Sequence, residues 1–429
     1  MTGGATAPRV PISRNVMGLG CSPTLAIHSK SRRLAEAGRK VYLFGLGQSP
    51  FPVPEAVVDA LRANAFRKDY LPVEGLPELR RSVCDYLRGR RNALFAEANV
   101  VVGPGSKELL FLIQLAFGGT VLLPTPCWVS YAAQAKLAGR DQVFVPTTAE
   151  SNYLLDPSEL DRVCESVPGA KLLVLTSPNN PTGTTYDERR LTEIAAVARR
   201  HGLLIVSDEI YAELSFDDAY VSMATKYEEG TILLTGLSKW CGAGGWRLGI
   251  AVFPHAARPL ATAVAAAASE TFTSTSAPIQ HAAVRAFRGG AAIESYLVRA
   301  RRVLRALTKH VSATLRDAGL ELPEATGAFY LFPDAGPLRA RLSTHSIDTG
   351  MALCSSLLEQ AGVACLPGSD FGRPVDELTF RLSLVDFDGA RALEAAASAD
   401  VEVDDAFLSA HCPRVLEGAQ ALAAWVKSR

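Results

Sequence analysis

No pair of cysteines in this sequence has C-x-x-C spacing, although eight are scattered along its 429 residues (Cys21, Cys84, Cys127, Cys164, Cys241, Cys354, Cys365 and Cys412). That scatter argues against thiolate metal sites and a disulfide framework, and makes reduced, mostly buried thiols in a cytoplasmic protein the expectation. The seven histidines lack ligand-type spacing as well, so no metal is expected. Neither sign of charge is in excess, since Lys+Arg and Asp+Glu both total 44. A nucleic-acid backbone or a membrane surface calls for surplus cation, and neither is expected as a partner. No apolar run reaches transmembrane length, and the opening MTGGATAPRVPISRNV lacks the apolar core of a secretory signal. Acidic residues are missing before Glu36, while Arg9, Arg14, Lys30, Arg32 and Arg33 are basic. This asymmetry hints at an organelle transit peptide, but the structured part starts too early to leave room, and targeting is not expected.

What is present belongs to a large globular protein. A hydrophobic share of 48% supplies a sizeable core, and the length exceeds that of a usual single domain, so two domains are expected. Seven short apolar runs read as buried strands: 99–105, 120–126, 142–147, 171–178, 202–209, 231–238 and 247–253. Helical patterns such as Lys107–Ala116 and Glu188–His201 lie between several of them. This alternation predicts an α/β fold with a mainly parallel seven-stranded sheet, flanked by helices. A long helical stretch follows at Ala291–Ala318, then shorter strands at Ala328–Phe332 and Leu378–Leu384. The Ala-rich pieces Ala261–Ala268 and Ala395–Ala399 read as helix. The division expected is residues 51–318 as a large domain, with 1–50 and 319–429 forming a smaller α+β domain.

In open α/β sheets the ligand site lies beyond the carboxyl ends of the strands. Three segments stand there: Ser-Pro-Asn-Asn-Pro-Thr-Gly (177–183), Ser-Asp-Glu-Ile-Tyr (207–211) and Ser-Lys-Trp-Cys-Gly-Ala-Gly-Gly-Trp-Arg-Leu-Gly (238–249). Singly they are a turn, a helix cap and a solvated basic stretch. Together, in this order, they resemble the cofactor site of class I aminotransferases, pyridoxal 5'-phosphate enzymes of fold type I. The likeness runs from about Ser22 to the last helix, through DYLPVEGLPELR, PTPCWVSY, GAFYLF and FRLSLV, and is nearest the prokaryotic-type aspartate aminotransferase branch.

The resemblance implies roles residue by residue. Lys239 is the amine that links to the cofactor aldehyde and later moves a proton, work that a desolvated lysine does well. Asp208 keeps the pyridine nitrogen protonated, so that the ring can accept electrons. Tyr211 and Asn180 hydrogen-bond the ring's phenolic oxygen, and Trp128 offers a stacking face. The phosphate falls to Gly105, Ser106 and Lys107 at a strand-to-helix turn, with Ser238 and Arg247. Tyr70 corresponds to a tyrosine that reaches the neighbouring subunit's phosphate, which implies a homodimer with shared sites. Arg381 grips the substrate α-carboxylate, lined also by Gly47, Trp128 and Asn180. Lys107 corresponds to a lysine that contacts a second, distal carboxylate.

Two departures from the family pattern stand out. Gly236 replaces a frequent phosphate-binding serine, and Gln48-Ser49-Pro50 replaces the usual residues of G-E-P-D-F. The reaction implied is ping-pong transfer of an amino group from an L-amino acid, of aspartate/glutamate or aromatic type, to a 2-oxo acid such as 2-oxoglutarate, through pyridoxamine phosphate. A lyase or decarboxylase on the same scaffold would use the same cofactor residues. A non-enzymatic sensor would need a DNA-binding segment that this chain does not show.

Overall fold

Strands buried on both faces dominate the middle of the chain. The computed structural model describes residues 10–429 except 218, 219 and 399; Arg9, with the rest of residues 1–9, and Ala399 of the expected Ala395–Ala399 helix lie outside the described residues. The central sheet comprises β1 (Val100–Gly103), β2 (Thr120–Pro124), β3 (Gln142–Val145), β4 (Lys171–Thr176), β5 (Leu204–Asp208), β6 (Thr231–Gly236) and β7 (Gly249–Val252). Its seven strands run in the order β1-β7-β6-β5-β4-β2-β3. Only β7 opposes its neighbours; the other pairings are parallel, as the alternation of apolar runs and helices predicts.

Helices cover both faces. The ones that matter below are α1 (Pro23–Glu36), α2 (Ser106–Ala116), α3 (Ser130–Leu137), α4 (Glu188–His201) and α5 (Ala291–Arg316). Successive residues of β4 serve opposite cores: Leu172 and Val174 pack with Leu109 and Ile113 of α2, while Leu173 and Leu175 pack with Leu191 and Ile194 of α4. This is the period of two expected of a strand, with both faces apolar because both are covered. Each fully buried leucine contributes ~1.5–3 kcal/mol, so the sheet is the rigid platform of the molecule.

The C-terminal part builds a small antiparallel sheet from β8 (Tyr330–Leu331), β9 (Leu366–Pro367) and β10 (Phe380–Ser383), in the order β9-β10-β8. The N-terminal segment joins this part, with Tyr42–Leu43 pairing in parallel with Val363–Ala364.

The predicted strands and the long helix end one or two residues earlier than expected, and three elements differ further. Ala328 takes a left-handed backbone (φ 59°), which a strand cannot contain, so the strand predicted from Ala328 begins at Tyr330. Arg247, also left-handed (φ 56°), keeps β7 from starting before Gly249. Of the helix predicted at Ala395–Ala399, only Ala395 falls in a helix among the described residues: that helix spans Gly389–Ala395, its start capped by Asp388, which accepts from the N–H groups of Ala390 and Arg391. All eight cysteines are free and seven are buried. Among the described residues no helix is long and apolar enough to cross a membrane.

Candidate active site

The sheet register brings three strand ends to one level. Thr176 pairs with Asp208, and Asp208 with Leu234, so the segments that follow β4, β5 and β6 leave the sheet side by side. A cavity of about 270 Å³ opens beyond them. Its lining contains Gly47, Ser106, Lys107, Trp128, Asn180, Asp208, Tyr211, Ser238, Lys239, Arg247 and Arg381, residues up to 334 positions apart in the chain. Of the expected site residues, Gly105 and Tyr70 are not in the lining. Gly105 sits just behind it, where an added Cβ would strike the Arg247 guanidinium. Tyr70 is 88% exposed elsewhere, on the loop between the helices Glu55–Asn64 and Pro77–Arg91.

Lys239 follows β6 and donates from Nζ to the Gly47 carbonyl, 2.6 Å away. Burial depresses its pKa to about 8, helped by the positive field of Arg381 and opposed by Asp208. About a tenth of the amine is therefore unprotonated, and nucleophilic, at pH 7, and about half at pH 8, far more than for an ordinary lysine. Asp208 ends β5 fully enclosed. Burial raises its pKa, while the Tyr131 hydroxyl, donating to Oδ2 at 2.7 Å, and the Ile210 N–H pull it back down. No cation hydrogen-bonds this carboxylate among the described residues, so it is a buried acceptor suited to a protonated ring nitrogen.

The opposite wall is cationic. Arg381 on β10 is 1% exposed and lies between the rings of Tyr330 (4.9 Å) and Phe371 (5.0 Å). Its Nη1 donates to Asn180 Oδ1 at 3.0 Å and its Nη2 to the Gly45 carbonyl at 2.5 Å, while its buried Nε has no partner. A buried guanidinium held only by neutral acceptors calls for a carboxylate.

Arg247 reaches the Pro104 carbonyl (3.2 Å), in front of the start of α2, where no side chain caps the helix. Uncapped N–H groups at a helix start bind anions. Gly249 makes this approach feasible, because a Cβ there would collide with the Ser106 nitrogen. Lys107, also on α2, lies with Nζ 5.1 Å from the Trp128 ring centroid, and burial lowers its pKa.

These residues fit a phosphorylated pyridine aldehyde. Four cationic side chains (Lys107, Lys239, Arg247 and Arg381) share the cavity with a single carboxylate, Asp208. That leaves a surplus of three positive charges with Lys239 protonated and two with it neutral, and a phosphate of about −1.5 to −2 together with one substrate carboxylate offsets most or all of it.

Several lining residues escape sequence reasoning. Tyr131 fixes Asp208 and also hydrogen-bonds Thr176 Oγ1 at 2.6 Å. Tyr330 hydrogen-bonds Tyr211, hydroxyl to hydroxyl, at 2.7 Å. Ser22, Thr24 and Leu25 reach the cavity from the start of α1. Tyr131 and Tyr330 stand within PTPCWVSY and GAFYLF, so their segments carried a signal that their contacts did not. The Gly236 departure has a steric cause: a Cβ there would lie 2.6 Å from the Leu248 carbonyl oxygen, where β6 meets β7. Ser238, by contrast, does line the cavity.

Known proteins are similar to this chain over most of its length. The family described as "Aminotransferase class I and II" matches residues 39–396. An aspartate aminotransferase from Geobacillus stearothermophilus is 33% identical over 372 residues, covering 85% of this chain and 92% of that protein. An aspartate/prephenate aminotransferase from Cereibacter sphaeroides is 32% identical over 364 residues, 82% of this chain and 89% of that protein. The solved structure of the Thermus thermophilus aspartate aminotransferase with maleate superposes with a TM-score of 0.82 at 27% identity, covering 97% of this chain and 100% of that one. Sequence and fold thus match over most of the chain, and the chain belongs to the class I and II aminotransferases, pyridoxal-phosphate enzymes of fold type I that transfer an amino group between an amino acid and a 2-oxo acid.

Proposed function

We propose that this enzyme transfers the amino group of a dicarboxylic L-amino acid, aspartate or glutamate, to a 2-oxo acid such as 2-oxoglutarate, in two half-reactions at this one cavity. The observation that carries the reading is the placement of cations: Arg381 suits the α-carboxylate, and Lys107, without a carboxylate partner among the described residues, suits a distal one. The names of the relatives support the same substrate class.

When bound, pyridoxal phosphate supplies an electron sink for the carbanion formed at the substrate α-carbon. Each residue then has a task. Lys239 Nζ would hold the cofactor and, once free, would carry the substrate α-proton as general base and acid. Asp208 keeps the ring nitrogen cationic, and Tyr131 keeps Asp208 oriented. Tyr211 and Asn180 donate to the ring oxygen, and Trp128 stacks on the ring. Gly105, Ser106, Ser238, Arg247 and the start of α2 hold the phosphate. Asn180 also orients Arg381, so cofactor and carboxylate sites share one amide. Gly47, which accepts from Lys239, borders both.

The proposal extends to a homodimer, in which exposed Tyr70 completes the neighbouring site, and to a cytoplasmic protein with separate large (51–318) and small (1–50 with 319–429) domains. The parallel pairing of Tyr42–Leu43 with Val363–Ala364 supports that division. The test is Lys239→Ala with a panel of amino acids and 2-oxoglutarate. The variant is expected to lose the visible absorbance of the bound cofactor and on the order of 10²–10⁴-fold in turnover from proton transfer alone. Retained turnover would refute the role of Lys239. Release of ammonia or carbon dioxide by the native enzyme, in place of stoichiometric amino transfer, would assign a lyase or decarboxylase instead.

A further inference from the structure

We infer that Tyr330 is a positioning residue that joins the phenol of Tyr211 to the guanidinium of Arg381, holding the proton-tuning and carboxylate-binding sides of the cavity in register. The inference rests on the roles proposed above for Tyr211 and Arg381. Tyr330 is buried on β8, and its backbone pairs with Ser383, two residues beyond Arg381 on β10. Its hydroxyl lies 2.7 Å from the Tyr211 hydroxyl, while its ring covers the Arg381 guanidinium at 4.9 Å. One side chain therefore touches a residue of the β5 loop and a residue of the small sheet. Room for it is kept by Gly47, where a Cβ would strike the Tyr330 hydroxyl.

The direction of the hydrogen bond follows from charge. A guanidinium on its face polarises the Tyr330 O–H, which makes Tyr330 the better donor of the pair. Tyr211 then accepts from Tyr330, and its own proton is free to point into the cavity toward the ring oxygen. Accepting one hydrogen bond strengthens the next one donated. A ring that only filled space would give Tyr330 no effect on the ring oxygen, and this separates the two roles.

The experiment uses the holoenzyme and the pH midpoint of its visible absorbance. A donor at the ring oxygen favours the form with one proton fewer, so weakening it raises the midpoint. Tyr330→Phe keeps the ring and is expected to raise the midpoint by ~0.5–1 pH unit, with KM for the amino donor within about twofold of the native value. Tyr330→Leu also uncovers Arg381, and is expected to raise KM by ~5-fold or more. Tyr211→Phe should raise the midpoint as well, and adding Tyr330→Phe to it should cause no further shift, since both act through one hydrogen bond. A moved midpoint in Tyr211→Phe with an unmoved one in Tyr330→Phe overturns the inference and leaves the site reading standing. Additive shifts overturn it too. An unmoved midpoint in Tyr211→Phe itself overturns the role given to Tyr211 and the inference with it.

Discussion

Lys239 carries a cost that its protein neighbours leave uncompensated. Its pKa of about 8 against an ordinary 10.5 means that the folded chain without cofactor disfavours the protonated amine. The unfolded state binds the proton more readily, so this penalty is fully present below about 8 and fades as pH rises toward 10.5. In the cofactor-free protein, Lys239→Met should raise stability at pH 7 by up to about 3 kcal/mol. The gain should shrink as pH climbs through that window, as read by urea midpoints. An equal gain at every pH would show that Lys239 is not the group under strain. Cofactor capture should likewise speed up with pH and level off just above 8, where the amine is mostly free. The candidate residues that line the cavity were legible in the sequence through the family resemblance, carried by three segments at strand ends. Tyr131 and Tyr330 were not, because their work lies in contacts 77 and 119 residues away along the chain.

At the scale of elements, the loop after β5 is held from behind by a buried ion cluster. Arg91, at the end of the helix Pro77–Arg91, donates to Glu209 Oε2 at 2.6 Å and to Glu213 Oε1 at 3.0 Å. Glu209 directly follows Asp208, and the two glutamates flank residues 210–212, which include Tyr211; Ser207 and Ser222 donate to Glu209 Oε1. Removing one partner of a buried pair leaves charge without compensation, so Arg91→Met should cost about 3–5 kcal/mol at neutral pH. The sign of the pH effect follows from Glu213. Despite the opposing cost of burial, the charges of Arg91 and Arg90 keep its pKa below the usual 4.5. It therefore stabilises the fold above 4.5 and loses that contribution on acidification through its folded value. In the variant Glu213 stays buried but loses the charge of Arg91, so it takes up a proton more easily, and the gap to the native protein should narrow as pH falls from 7 toward ~5. A constant gap in thermal melts would assign the loss to packing alone. Strand and helix positions were legible from periodicity and turn residues. The short strands near the site were overextended, since only tertiary contacts put Ala328 and Arg247 in left-handed backbone.

The whole molecule exposes what a lone subunit would bury. Phe66 is 73% and Tyr70 88% exposed, on one loop. That loop is nevertheless built to stay in place: the fully buried Gln280 accepts from the Leu76 N–H at 2.8 Å and donates to the Thr275 carbonyl at 2.7 Å, and the Val102 N–H donates to the Glu74 carbonyl at 3.0 Å. A rigid support under exposed aromatics suits a surface that another copy covers, as in the dimer proposed above, in which each Tyr70 serves the partner's site. This division of labour can be tested by mixing two damaged proteins. Subunits with Lys239→Ala keep Tyr70 but cannot link the cofactor; subunits with Tyr70→Ala keep the lysine but lack the phenol. In a mixed dimer one site receives both intact residues and the other receives neither. Random re-pairing of equal amounts makes half of all dimers mixed, so about a quarter of all sites regain the native set. Activity of the re-paired mixture should then approach a quarter of the native value when the cofactor is too dilute for Tyr70→Ala alone to stay loaded. If Tyr70 served its own subunit, the mixture would show no more than the average of its two components, because no re-pairing could bring a lysine and a tyrosine from different chains into one site.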